Sequence, residues 1–110
     1  MKIPFSQTRS FDREAFNGNV FVEKKDEKGF NALIVHCLTR HYKTKLNGAV
    51  RMYLVLEGEG TFTINEKKES AQKDDLFVIS DGDVYEYKGE MNLFEFNIPA
   101  TDSSNETKLE

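Results

Sequence analysis

The sequence predicts an all-β fold, a sandwich or barrel of short strands. Three observations lead there. Runs rich in β-branched and aromatic residues recur at short intervals along the chain. Gly, Asn and Asp punctuate them, at Asp26 to Gly29, Asn47-Gly48, Gly58-Glu59-Gly60, Asp81 to Asp83 and Gly89. No segment holds an apolar period of 3.6 residues over three turns, as a core-facing helix would.

Taken in order, Asn19 to Lys25 (NVFVEKK) reads as a strand and Asp26 to Gly29 as a turn. Phe30 to Arg40 (FNALIVHCLTR) reads as one long, well-buried strand. Asn47-Gly48 is a strong hairpin signal, because both residues tolerate positive φ. Arg51 to Gly58 and Gly60 to Asn65 are strands on either side of Glu59, and Asn65 to Glu69 turns the chain again. Asp75 to Ser80, Val84 to Lys88 and Met91 to Pro99 complete the set. Ser10 to Phe16 (SFDREAF) is the one helical candidate, a turn or two capped by Ser10. The chain divides into an N-terminal segment with the first strand (residues 1–29), a β core (30–99) and a polar, loose tail (100–110).

The 110 residues suit one domain with a single core. A net charge of −4, with basic residues scattered, argues against nucleic acid. The single cysteine, Cys37, allows no internal disulfide and fits a reducing, cytoplasmic setting. No apolar run is long enough for a membrane span, and the first residues lack the apolar core of a signal peptide.

The stretch YLVLEGEGTFTIN followed by KDDLFVISDGDVYEY resembles the cupin superfamily over residues 30–99. The resemblance implies a double-stranded β-helix, a small jelly-roll barrel. The family's first motif has two histidines one residue apart, a glutamate, and a glycine after six more residues. Its glycine matches Gly58. The glutamate slot then falls on Arg51, and the histidine pair on Lys45 and Asn47 or on Thr44 and Leu46. In the second motif the opening glycine slot holds Asp74 and the proline slot Ser80; Gly82 matches the turn glycine, and Tyr85 holds the last histidine slot. The scaffold positions survive and the metal ligands do not. A guanidinium has no acceptor and keeps its proton, so it repels a cation. The expectation is a barrel with no bound metal and no cofactor. His36, Cys37 and His41 offer no substitute set, because His36 faces away from both Cys37 and His41 on a straight strand.

Strand alternation puts Arg51, Tyr53 and Val55 on one face, which the resemblance turns toward the barrel lumen. Tyr85 and Tyr87 share a face in the same way. Arg51, Tyr53, Tyr85 and Tyr87 are the candidate ligand-binding residues, since arginine bonds carboxylates and phosphates in pairs and tyrosine offers a ring face and a hydroxyl. The competing expectation is that Arg51 pairs with an internal acid and the tyrosines fill the core. Glu95 shares a face with Leu93 and Asn97, opposite Phe94 and Phe96. The Phe side is the simpler core, which exposes Glu95 unless it is the buried partner of Arg51. His41, near the rim, and Tyr85 are the only acid/base pair on offer. His36 reads as a satisfied core residue and Cys37 as buried and inert.

These residues leave three functions open. One is a metal-free cupin binding a small polar molecule: a carbohydrate, a sugar phosphate or an organic acid. Another is an enzyme resembling the metal-independent sugar isomerases and epimerases of the cupins, and the third is a structural or sensor module. Several strands are apolar on both faces, so one face fills the barrel and the other needs a cover. A homodimer is the expected solution, with residues 1–16 as the rival cover.

Overall fold

The computed structural model describes all 110 residues, which form eleven strands. They are β1 (Arg9–Asp12), β2 (Phe16–Val22), β3 (Asn31–Cys37), β4 (Arg40–Leu46), β5 (Val50–Gly58), β6 (Gly60–Ile64), β7 (Lys67–Ala71), β8 (Leu76–Ile79), β9 (Val84–Lys88), β10 (Met91–Ile98) and β11 (Glu106–Lys108). One sheet runs β1-β2-β3-β10-β5-β8 and the other β11-β4-β9-β6-β7, with every recorded pairing antiparallel. This is the expected all-β barrel of two facing sheets. No helix is long and apolar enough to cross a membrane.

The interior follows from alternation. Along β5, Arg51, Tyr53 and Val55 are buried, and along β9 Tyr85 and Tyr87 are. Leu93, Phe62, Phe77 and Ile79 fill the space between the sheets. On β10 the inward set is Met91, Leu93, Glu95 and Asn97. The Phe side is therefore not the core: Phe94 and Phe96 face outward, and Glu95 is buried. The reason is register. Phe96 lies beside Met52 and Ala32, and Phe94 beside Leu54 and Ile34, in rows across the outer surface of the sheet.

The turns act mainly as corners. Asn47-Gly48 joins β4 to β5 and Gly58-Glu59-Gly60 joins β5 to β6, each carrying the chain from one sheet to the other. Gly58 has φ of 84°, and a Cβ there would meet the Glu90 carbonyl oxygen at 2.2 Å. Both facts demand glycine at this corner.

Four readings of local structure are corrected. Ser10 to Phe16 is not helical: it spans most of β1 and the start of β2, because β1 zips onto β2 from Arg9 against Val20 to Asp12 against Asn17. The long strand Phe30 to Arg40 breaks after Cys37, and β4 begins the other sheet. Lys67 to Ala71 is strand β7, the turn being confined to Asn65-Glu66. The tail is not loose. A 3-10 turn, Ser103–Asn105, is capped by Asp102, and β11 pairs with β4 from Glu106 against Leu46.

Candidate functional site

Arg51 enters the barrel from β5 and is almost wholly buried, at 4% exposure. Its Nε donates to Asn97 Oδ1 at 2.5 Å and lies 3.4 Å from Glu95 Oε2. Its Nη1 donates to the Tyr85 hydroxyl at 2.8 Å and to Glu106 Oε1 at 2.5 Å. Its Nη2 donates to Thr101 Oγ1 at 3.3 Å. Asn97 in turn donates to Glu95 Oε2, and the Tyr85 and Tyr53 hydroxyls share a hydrogen bond at 2.8 Å. Burial works against the charge on Arg51, but Glu95, the tyrosines and Glu106 outweigh it and raise its pKa further. Of the two expectations for Arg51, internal pairing is the arrangement present.

Beside this network stands His41. β4 pairs with β9 through a register shift between His41 and Thr44. A regular strand would send these two residues, three apart, to opposite faces; the bulge points both inward. The His41 ring is packed by Phe16, Tyr42, Tyr87 and Tyr85, with centroids 4.9, 4.3, 5.0 and 5.6 Å away. Its Nδ1 is 2.8 Å from the Tyr42 carbonyl oxygen. A carbonyl only accepts, so Nδ1 carries the proton and Nε2 is left as a base. Burial lowers the pKa of His41, which favours this neutral form. Nε2 has no protein partner, yet it is not among the sealed unpartnered atoms; that condition belongs to the Tyr87 hydroxyl alone. The Tyr53 hydroxyl is near enough to ease the ionisation of Tyr87 but makes no hydrogen bond to it within normal geometry. Burial holds Tyr53, Tyr85 and Tyr87 all above the ordinary tyrosine range.

A cavity of about 370 Å³ opens onto both features. One wall is apolar, with Phe11, Phe16, Val20 and Leu33 from β1 to β3. The other presents His41, Arg51, Tyr87, Glu95, Asn97 and Glu106. Its lining carries two arginines, Arg13 and Arg51, against four carboxylates, Glu23, Glu95, Asp102 and Glu106. A larger hollow of about 620 Å³ lies by the five-stranded sheet, but nine of its ten lining residues are polar or charged. It lacks the apolar wall that a small-molecule site uses.

The donor set does not fit a divalent metal at the slots picked out by the motif resemblance. Thr44, Leu46, Arg51 and Tyr85 all face inward at the motif slots, which selects that register over Lys45 and Asn47. No three His, Cys, Asp or Glu side chains are grouped to hold a metal. Cys37 is buried and its thiol is pushed up to about 11 by burial, consistent with an inert residue. His36 is not in the core. It lies on the outer face of β3, with Nδ1 2.8 Å from Asn92 Oδ1.

The structure thus brings Arg51, Tyr53 and Tyr85 into one bonded chain, with Tyr87 and His41 against it. Sequence reasoning missed Asn97, Thr101 and Glu106, and held Glu95 only as an alternative. Alternation with Leu93 was the available signal for Asn97. Nothing in the tail marked Thr101 or Glu106.

No family model and no curated protein matches the sequence. Solved structures do match the fold. Pac13 from Streptomyces, a nucleoside dehydratase, superposes with a TM-score of 0.88 at 18% identity, covering 100% of this chain and 91% of its own. Variants of Pac13 with a histidine changed to glutamine or a tyrosine to phenylalanine have been solved with uridine. KdgF from Halomonas matches with a TM-score of 0.79 at 10% identity, over 93% of this chain and 96% of that one. The cupin domain of Schizosaccharomyces pombe Cnp3 matches with a TM-score of 0.72 at 18% identity, over 92% and 74%. The chain has the cupin fold, a single jelly-roll barrel, as the motif resemblance implied.

Proposed function

We propose that this is a metal-free cupin that binds a neutral, polyhydroxylated ligand of the nucleoside type and performs acid/base chemistry on its sugar. The observation that carries the reading is His41: neutral, held by its Nδ1–H on the Tyr42 carbonyl, with Nε2 unpartnered in a residue that lines the cavity. A neutral imidazole can take a proton from the ligand and return it to a departing hydroxyl, so one residue serves as base and then acid. The apolar wall with Phe11 and Phe16 suits a flat base, and the carboxylates Glu95 and Glu106 suit sugar hydroxyls. Arg51 is already engaged by both acids, which disfavours the organic-acid and sugar-phosphate readings of the barrel interior. Pac13, of the same fold, supplies the uridine and dehydratase precedent. Calorimetry with uridine tests this. Saturable binding at about 1 mM or tighter is expected, reduced at least tenfold in His41→Gln. Absence of binding, or an unaffected variant, sinks it.

We also propose that a second copy covers the six-stranded sheet. Two rows cross its outer face, Val78-Met52-Phe96-Ala32 and Leu76-Leu54-Phe94-Ile34. Leu76, Val78 and Ile98 are about half exposed or more. The rival cover reaches only one end: Phe5 packs edge-on against Phe21, while β1 extends the sheet sideways. Light scattering should give twice 12.7 kDa, reverting to the monomer in Leu76→Lys/Val78→Lys. A monomer at tens of micromolar overturns the dimer.

A further inference from the structure

A second hollow, of about 320 Å³, adjoins the mouth of the cavity and shares Arg13, Phe16 and Tyr42 with it. Its charge is opposite. Arg13, Arg40 and Lys108 line it and no carboxylate does. Arg40 is paired with Glu110. Arg13 and Lys108 make no salt bridge, and the Lys108 ammonium lies 4.8 Å over the Tyr42 ring. The same ring lies 4.3 Å from that of His41. One aromatic ring therefore contacts both the neutral histidine of the cavity and an unpaired cation on the adjoining shelf. In a chain of net charge −4, with an excess of carboxylates lining the cavity itself, this local reversal is specific.

We infer that the shelf formed by Arg13 and Lys108 binds the phosphate of a nucleoside 5′-phosphate whose base and ribose occupy the barrel cavity. The inference rests on the nucleoside reading above and adds the anionic end of the ligand. The charge pattern sorts such a molecule along its length. The cavity disfavours an anion, since its one buried arginine is neutralised by Glu95 and Glu106. The shelf offers a guanidinium able to form paired hydrogen bonds and an ammonium held by an aromatic face, both exposed enough to meet a dianion without a desolvation penalty of their own. A nucleoside with a neutral tail would leave both cations unused.

The test is titration calorimetry of the full chain with three probes: uridine, uridine 5′-phosphate and inorganic phosphate, at low and at high salt. The nucleotide should bind at least tenfold tighter than uridine at low salt. The advantage should shrink at high salt, because the shelf is exposed and screened. In the double variant R13Q/K108Q it should vanish with the melting temperature unchanged, and in K108Q alone, a residue outside the cavity lining, it should shrink at least threefold while uridine affinity stays as in the parent. Inorganic phosphate should bind far more weakly than the nucleotide. Uridine binding with no gain from the phosphate overturns the shelf and leaves the nucleoside reading standing. A gain that survives in R13Q/K108Q places the phosphate elsewhere and also overturns it. Inorganic phosphate binding as tightly as the nucleotide reduces the shelf to a free-anion site. Failure of uridine and nucleotide alike overturns both readings.

Discussion

Arg51 and His41 sit in the same barrel, equally deep, and respond to burial in opposite ways. Arginine cannot shed its proton, so its charge survives burial only if it is met by partners. It is met by Glu95, Glu106, Asn97, Tyr85 and Thr101, drawn from β9, β10 and the tail. Histidine can shed its proton, and burial makes it do so. It keeps one bond, to its neighbour's carbonyl, and surrounds itself with rings. A network that engages every nitrogen of the guanidinium is scaffold, and a half-satisfied ring beside a cavity is where the proposed chemistry would sit. The residue most conspicuous in the sequence, an arginine at a carboxylate slot, is engaged by internal partners, and the base we propose is a plainer histidine.

The sharpest way to break this division is Arg51→Met. It leaves two carboxylates in the barrel without their cation, and breaking such a buried pair costs about 3–5 kcal/mol. Urea unfolding should show that loss, and Glu95→Gln in the Arg51→Met background should recover part of it. A stability unchanged by Arg51→Met would mean the arginine is not scaffold and is free for ligand.

Gly58→Val probes the far corner, away from both features. Positive φ and the Glu90 carbonyl 2.2 Å from the new Cβ both oppose it. The expected cost is about 1–3 kcal/mol, with uridine affinity of the folded protein unchanged. If the melting temperature does not move, the corner is misplaced; if affinity falls, the two ends of the barrel are coupled.

The split between scaffold and chemistry was half legible in the sequence. Period-two alternation fixed the lumen for Arg51, Tyr53, Tyr85 and Tyr87, because side-chain direction in a strand depends only on parity. Parity fails at a bulge. The extra residue between His41 and Thr44 is invisible in the letters, and with it the reason His41 points inward at all. The tail was misread for another reason. Its composition is polar, but its order comes from long-range partners: Arg51 for Glu106, Asn31 for Thr101, Lys43 for Glu110. Those partners lie 55 to 70 residues away in the chain. The Phe94/Phe96 face reads as the simpler core when apolar area is given more weight than the alternative, Glu95 as the buried partner of Arg51. An arginine in a barrel needs a carboxylate there, and Glu95 was the candidate at hand.

A pH series sharpens the histidine side. The pKa of His41 is lowered in the folded state, so the unfolded chain binds the proton more readily. Stability is then full above the ordinary histidine pKa near 6.5 and is lost as pH falls below it. The loss has a limiting slope of about 1.4 kcal/mol per pH unit until the folded pKa is reached. Urea midpoints between pH 7.5 and 5.5 should fall in the parent and stay flatter in His41→Gln. The exposed carboxyls held low by their partners, Asp26, Asp102 and Glu110, act further down the scale and do not confuse this window. An equal fall in the variant would mean that another group carries the dependence.

The smallest effect is expected where the two regions touch. Tyr85 and Tyr87 are two residues apart on β9 and equally buried, but their hydroxyls differ. That of Tyr85 accepts from Arg51 and shares a bond with Tyr53, whereas that of Tyr87 has no protein partner. Removing a bonded hydroxyl leaves its neighbours unpaired, so Tyr85→Phe should cost about 1–3 kcal/mol. Removing an unbonded one relieves a buried polar atom, so Tyr87→Phe should be neutral or stabilise by up to about 1 kcal/mol. Tyr87 still lines the cavity beside His41. If its hydroxyl is kept for a ligand, Tyr87→Phe should weaken uridine binding while the fold gains or holds. A stability gain with intact binding would make Tyr87 a packing residue only. A loss of 1 kcal/mol or more would mean a buried water satisfies the hydroxyl, and Tyr87 would then belong with Arg51 on the scaffold side.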